Sequence, residues 1–156
     1  ELRRTAAALS VKPDGVFDAL ARKEEQVQGL NQKLREKNAQ LAKLYSEKLH
    51  AEAQENFIAA YLSVDFDVCK TIAETLCADD NFSAVLFCNE NDRLRYICVR
   101  GKNGALDCRA AAQKINALLG AKGGGSPMTS QGSCPKTTEA EQKLCEILSE
   151  PVQNLN

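Results

Sequence analysis

Leu20, Val27, Leu34 and Leu41 recur every seven residues, and Leu30 and Leu44 fill two of the core positions between them. A seven-residue apolar repeat belongs to a helix with one continuous seam, so much of the first third of the chain is committed to a long helix. Upstream, a short helix over residues 2–9 is expected to break at Ser10-Val-Lys-Pro13. Pro13 suits the first turn of the next helix, and Asp14 sits near its positive end. Lys23 and Lys37 take the remaining seam positions, where a strong parallel dimer would carry Leu or Ile. Residues 1–56 therefore read as a spacer, a helical hairpin or modest coiled coil that reaches on the order of 65 Å from residue 14 to about 56. Its candidate oligomerisation residues are Leu20, Val27, Leu30, Leu34, Leu41 and Leu44, and a homodimer is the expected assembly. The alternative is that the stripe packs on the rest of the chain.

From residue 57 the pattern changes to short apolar runs alternating with amphipathic segments, the signature of an α/β or α+β domain over residues 57–150. A first strand is expected over residues 57–63. Asp65 is placed to cap a helix whose inner stripe is Cys69, Ile72, Ala73, Leu76 and Cys77. Residues 82–88 and 94–100 are β-rich runs joined by Asn89-Glu-Asn-Asp92, which implies an antiparallel hairpin. Asp107 then caps a helix with Cys108, Ala111, Ala112, Ile115, Leu118 and Leu119 inward, ending at Gly120. Residues 127–133 suggest a short edge strand, and Thr138 with Glu141 forms a capping box for a last helix through Leu144, Cys145 and Leu148. The tail, residues 151–156, is expected to be disordered. The fold class is thus a small mixed sheet with helices packed against it, behind an N-terminal helical spacer.

Composition excludes several chemistries. Seven cysteines, an odd number without a Cys-x-x-Cys pair, fit neither a zinc site nor a disulfide framework. They read as reduced, small apolar residues, which points to a cytoplasmic location. His50 is the single histidine, so metal-centred hydrolysis and histidine base catalysis have little to work with, and no cofactor is expected in this chain. No run is long and apolar enough for a membrane span. The chain opens on Glu1, which suggests a piece of a longer protein. Net charge is −1, yet seven basic residues and one acid, Asp107, lie between Arg93 and Lys122.

That basic stretch ends in residues 120–132, Gly-Ala-Lys-Gly-Gly-Gly-Ser-Pro-Met-Thr-Ser-Gln-Gly. Gly123, Gly124 and Gly125 leave the backbone bare and permit positive φ, so their N–H groups are expected to converge on a phosphate beside Lys122. A helix stop followed by a tether would also use glycines, but Ser126, Pro127, Met128, Gln131 and Gly132 lead straight into another amphipathic segment. The order of residues matches neither the Walker A loop nor the Gly-x-Gly-x-x-Gly dinucleotide fingerprint, which argues against ATP or NAD.

Leu106-Asp-x-Arg-Ala, the helix to Leu119 and the glycine stretch through Gly132 together resemble the DHH-associated domain that ends alanyl-tRNA synthetases. The long-form alanyl-tRNA editing proteins (AlaX) end in the same way, and Ala8-Leu-Ser-Val-Lys-Pro-Asp14 resembles the segment that opens their spacer. The resemblance covers essentially the whole chain. It implies a non-catalytic module that holds tRNA, expected to be alanine tRNA, and assembles the parent protein. The parent would be an aminoacyl-tRNA hydrolase or an alanine-tRNA ligase with zinc in another domain. Lys122, Gly123, Gly124, Gly125, Gln131 and Gly132 match the family loop by position. Ala121 stands where the family usually has a glycine, and Ser126 where it often has arginine. With Arg93, Arg95, Arg100, Lys102 and Arg109, the loop residues form the candidate RNA-binding set. Two alternatives stand beside this reading: a purely structural coiled-coil dimerisation module, and the substrate-binding domain of a DHH-type phosphoesterase. Those enzymes place histidine after the triple glycine, where this chain has Ser126.

Overall fold

The computed structural model describes residues 2–149; the expected disordered tail, residues 151–156, lies outside them. The chain forms two compact units, divided between Asn38 and Ala39.

The first unit contains helix α1 (Leu2–Ala8), a 3-10 turn (Pro13–Gly15) and the start of helix α2 (Val16–Glu52). Pro13 occupies the first position of that turn, where a missing N–H leaves no bond unmade. Ala6 and Val16 are buried, whereas Leu20, Val27, Leu30 and Leu34 are 46–66% exposed. The heptad stripe is therefore a solvent-facing seam here.

The second unit begins with the last turns of α2. Leu41 and Leu44 also stay exposed, and the helix buries a different face made of Ala42, Ser46 and Leu49. Within this unit Leu41 and Leu44 do not pack on the globular part, because burial follows the neighbouring residues at three-and-four spacing. Ala42 and Leu49 join the apolar cluster built around α3, and Ser46 Oγ lies 3.5 Å from the Ile72 carbonyl of that helix.

There follow β1 (Phe57–Leu62), α3 (Phe66–Leu76), β2 (Ser83–Glu90), β3 (Arg93–Arg100), α4 (Cys108–Leu119), β4 (Lys122–Gly125), β5 (Thr129–Pro135) and α5 (Thr138–Ser149). They make an α+β fold around one five-stranded mixed sheet in the order β1-β2-β3-β5-β4, with β1 parallel to β2 and the remaining pairs antiparallel. Odd residues of β2 and even residues of β3, such as Phe87 and Tyr96, pack with α4 and α5. The opposite set, such as Leu86 and Ile97, packs with α3 and the end of α2. Covered on both faces, β2 buries every residue from Ser83 to Cys88, so its sequence is an unbroken apolar run and not an alternation.

Two sequence expectations are corrected by the strand order. The strand expected at residues 127–133 as an edge is β5, an interior strand, and the edge is β4, built from the lysine and the three glycines. The reversal is made by Ser126, whose Oγ accepts the N–H groups of Met128 and Thr129 at 3.2 and 3.1 Å, an ST-type turn that folds the glycines back along β5. Leu118, expected inward, is 48% exposed.

The helix ends show which capping signals act. Asp107 accepts from the N–H groups of Arg109 and Ala110, and Gly120 closes α4 at φ +62°. Asp65 sits at the cap position of α3 without a side-chain bond. At α5 the capping oxygen is that of Thr137, which accepts from the N–H of Ala140, one residue before the expected Thr138.

Candidate functional site

Directly opposed residues of neighbouring strands share a face, so the register places Leu86, Ile97, Gln131 and Gly124 in one row across the sheet. The next row is Cys88, Arg95, Ser133 and Lys122. Both lie on the face that α3 covers over β2 and β3. Over β5 and β4 that face is open, and Lys122, Gly124, Thr129 and Gln131 are exposed. Between α3 and this open shelf runs a groove of about 600 Å³, with Lys70, Glu74 and Cys77 as its wall, Ile97 and Val99 at its base, and Gly124, Met128, Thr129 and Gln131 on the shelf side.

The glycines are not equivalent. A Cβ at Gly123 would strike the backbone of Gln131 and Gly132, and one at Gly125 the backbone of Thr129 and Ser130. A Cβ at Gly132 would meet the Tyr96 ring at 2.6 Å. These three are glycine because the protein's own packing demands it. At Gly124 a Cβ would meet nothing within 4 Å, so no neighbour in the fold requires this residue to be bare.

The expected nest of converging N–H groups is not formed. Gly123, Gly124 and Gly125 are extended strand, and among the described glycines only Gly120 has positive φ. In a strand successive N–H groups point to opposite sides, so what the glycines offer is a flat ledge and not an anion cradle.

The basic residues separate into groups. Lys122 lies on the same side of the sheet as Arg95 and Arg93, and the Arg93 guanidinium donates to Ser133 Oγ at 3.2 and 2.8 Å. Arg95 is engaged by the fold: it pairs with Glu90 and stacks on the Phe66 ring, 3.6 Å from its centroid. Arg100 donates to the Gly104 carbonyl at 3.1 Å and lies 3.3 Å from Met128 Sδ. Arg109 donates to the Gly125 carbonyl at 3.2 Å. These two arginines brace the turn that ends the ledge. Lys102, in the segment between β3 and α4, and Lys114, on α4, are not part of the groove lining. Arg93 to Lys122 is one stretch of sequence but not one basic face.

Sequence reasoning missed the wall. Lys70, Glu74 and Cys77 follow the spacing i, i+4, i+7 along one side of α3, a signal present in the chain but meaningless until the sheet order sets β5 and β4 beside it. Lys70 bonds Asp67 at 2.8 Å, and that hydrogen bond, with the lysine's charge, holds the Asp67 carboxyl below its usual range. With Glu74 in the wall and Arg100 also in the lining, the groove itself carries little net charge, and Lys122 and Arg93 lie beyond its lining, on β4 and β3. Among the described residues no cluster of three or more His, Cys, Asp or Glu side chains is placed to hold a metal ion, and no helix is long and apolar enough to cross a membrane.

A model of the DHHA1 domain family matches residues 54–154, and the chain belongs to that family. No curated protein matches the sequence. Among solved structures, RecJ in complex with Mn2+ from Thermus thermophilus is similar over 96% of this chain at 13% identity and a TM-score of 0.55. The C-Ala domain of Aquifex aeolicus alanyl-tRNA synthetase matches 60% of this chain and 91% of its own length, at 15% identity and a TM-score of 0.48. A pGpG-specific phosphodiesterase, PggH, from Vibrio cholerae matches 94% of this chain at 11% identity and a TM-score of 0.42. The chain spans 24% of the RecJ chain and 52% of the phosphodiesterase.

Proposed function

We propose that the second unit holds RNA, with one unstacked nucleotide lying on the shelf formed by Gly124, Gln131 and Thr129 above Ile97 and Val99, and the polymer's phosphates running toward Lys122 and Arg93. The observation that carries this reading is Gly124, a bare residue at the open groove that no neighbour in the fold requires to be bare. A flat shelf, left bare at Gly124 and beside cations, suits an unpaired base and its backbone, the usual way in which proteins grip single-stranded RNA. Phosphate contacts position the polymer and the base contributes stacking, so discrimination among sequences is modest. The motif resemblance to the ends of alanyl-tRNA synthetases and editing proteins makes tRNA, and alanine tRNA in particular, the polymer of choice. In this reading the chain is the holding module, and bond-breaking chemistry belongs to another part of the parent protein.

The test is a titration of the full chain with alanine tRNA and with a control tRNA, repeated with Gly124→Val and Lys122→Glu. Both variants are expected to lose affinity while circular dichroism reports an unchanged fold. Binding that neither variant weakens would refute the assignment of the groove.

A second reading has a specific observation in its favour. The groove is closer to the size of one or two nucleotides than to that of a folded RNA, which also suits the substrate grip of a DHH-type phosphoesterase acting on short oligonucleotides. Titration with di- and trinucleotides separates the two: affinity that is already complete with a dinucleotide favours the phosphoesterase, and affinity that grows with tRNA favours the first reading.

A further inference from the structure

The opposite edge of the sheet carries a second, independent feature. Strand β1 reads Phe-Ile-Ala-Ala-Tyr-Leu, six residues with no charge, no proline and no glycine. Folded proteins usually protect such an edge with lysine, proline, a bulge or a covering segment, because its outward N–H and C=O groups are a template for another strand. Here the inward groups are identified by the bond from Ser83 N–H to the Asn56 carbonyl. Alternation then directs Ile58, Ala60 and Leu62 toward β2 and Phe57, Ala59 and Tyr61 outward. Phe57 is already occupied, since it exchanges both backbone bonds with Gln54, at 2.9 and 3.1 Å. The backbone groups of Ala59 and Tyr61 have no such partner among the described residues.

We infer that β1 pairs with β1 of a second copy of this chain, antiparallel and centred on Ala60, to form one continuous ten-stranded sheet. Three features select that occupant and register. First, centring on Ala60 bonds Ala59 of one copy with Tyr61 of the other, twice, and so uses the two free outward residues while leaving the Gln54–Phe57 bridge intact. Second, the pairing keeps each face of the sheet on its own side: Ile58 meets Leu62 on the α3 face, and Ala59 meets Tyr61 on the α5 face. Third, the sizes match. The Tyr61 side chain, 41% exposed on this otherwise apolar strand, would cover the small side chain of Ala59 across the seam, a large-on-small cross-strand pair. By contrast, the heptad stripe on α2 would set Lys23 against Lys23 and Lys37 against Lys37 in a parallel in-register pair. The dimer leaves the glycine ledge at each far end of the sheet, so this inference is independent of the RNA reading.

Light scattering on the full chain tests the inference, together with Ala59→Pro, Tyr61→Lys and a stripe variant, Leu30→Lys with Leu34→Lys. Proline at 59 removes an outward N–H and none of the bonds to β2, so the monomer fold, checked by circular dichroism, is retained. Wild type and the stripe variant are expected at the mass of two chains and the two edge variants at the mass of one, with the amides of Ala59 and Tyr61 exchanging faster in the edge-variant monomer than in the dimer. A monomeric wild type overturns the inference, as does a dimer that survives Ala59→Pro or is lost in the stripe variant. Slow exchange at 59 and 61 in a monomer would also overturn it, since the chain's own tail would then be covering the edge.

Discussion

The Tyr96 ring occupies the space that a side chain at Gly132 would need, 2.6 Å from the site of its Cβ. Tyr96 in turn donates its O–H to Asn116 Oδ1 at 2.8 Å, and Asn116 Nδ2 donates to the Gly123 carbonyl at 3.1 Å. Helix α4 thus fastens the glycine edge through one tyrosine and one asparagine. Gly132→Ala is expected to force that ring out of place and cost about 1–3 kcal/mol, the usual range for overpacking a closed core. Urea denaturation measures the loss, and Gly123→Ala should fall in the same range because its Cβ meets backbone. A Gly132→Ala variant as stable as wild type would show that the ring moves freely.

Gly124→Ala should behave in the opposite way. Its Cβ enters open space, and replacing a strand glycine removes unfolded-state entropy, so stability is expected to stay level or to rise by up to about 1 kcal/mol. Gly124→Val keeps the fold and fills the ledge, which should weaken RNA affinity. Lys122→Glu acts through charge: affinity falls, and the slope of log affinity against log salt falls by about one. Loss of affinity in Gly124→Val with the wild-type salt slope would separate the stacked base from the phosphate contact.

Arg95 provides the contrast among the cations. Its guanidinium lies over Phe66 and pairs with Glu90, so Arg95→Ala removes a ring contact worth about 0.5–2 kcal/mol and leaves the carboxylate without its partner. The expected result is a lowered unfolding midpoint with RNA affinity reduced less than by Lys122→Glu. Arg95→Lys should recover only part of the stability, because an ammonium does not stack as a planar guanidinium does. Equal loss of affinity in Arg95→Ala and Lys122→Glu would place Arg95 in the binding surface after all.

What the chain discloses about itself follows the range of each signal. Asp107, Gly120 and the turn residues Asn91 and Asp92 act within a few residues, and each does in the fold what its local chemistry indicates; Asn89 and Glu90, expected in that turn, extend β2. The heptad stripe shows the helix but not its partner, since Leu41 and Ala42 are neighbours in sequence and only packing decides which is buried. The glycines are where reading by residue type goes furthest astray. Gly123, Gly124, Gly125 and Gly132 look alike in sequence, yet three answer to close approaches from β5 and Tyr96, and one answers to none. The groove could not be foreseen, because its wall on α3 and its shelf on β4 and β5 are some fifty residues apart and meet only through the strand order. The basic stretch misleads in the same way, for strand alternation and the turn at Gly125 to Met128 scatter its members over different surfaces.

The buried thiols predict how the fold responds to alkali. Burial pushes Cys77 up to about 11 and Cys108 up to about 12, and it raises Cys98 and Cys134 as well. Tyr96 reaches about 12, again chiefly through burial. Each of these groups is neutral when protonated, so a raised value in the folded chain means that the unfolded chain releases its proton first as pH increases. Stability is therefore fully present below the ordinary thiol range, begins to fall above about pH 8.5 and falls further above about pH 10, where the phenol of the unfolded chain also ionises. Urea midpoints measured between pH 7 and 11 should show this decline, and a Cys98→Ala, Cys108→Ala variant should show a shallower one. A midpoint that holds constant to pH 11 would mean that these thiols ionise as readily in the folded chain as in the unfolded one, and that water reaches the sheet faces on which they lie.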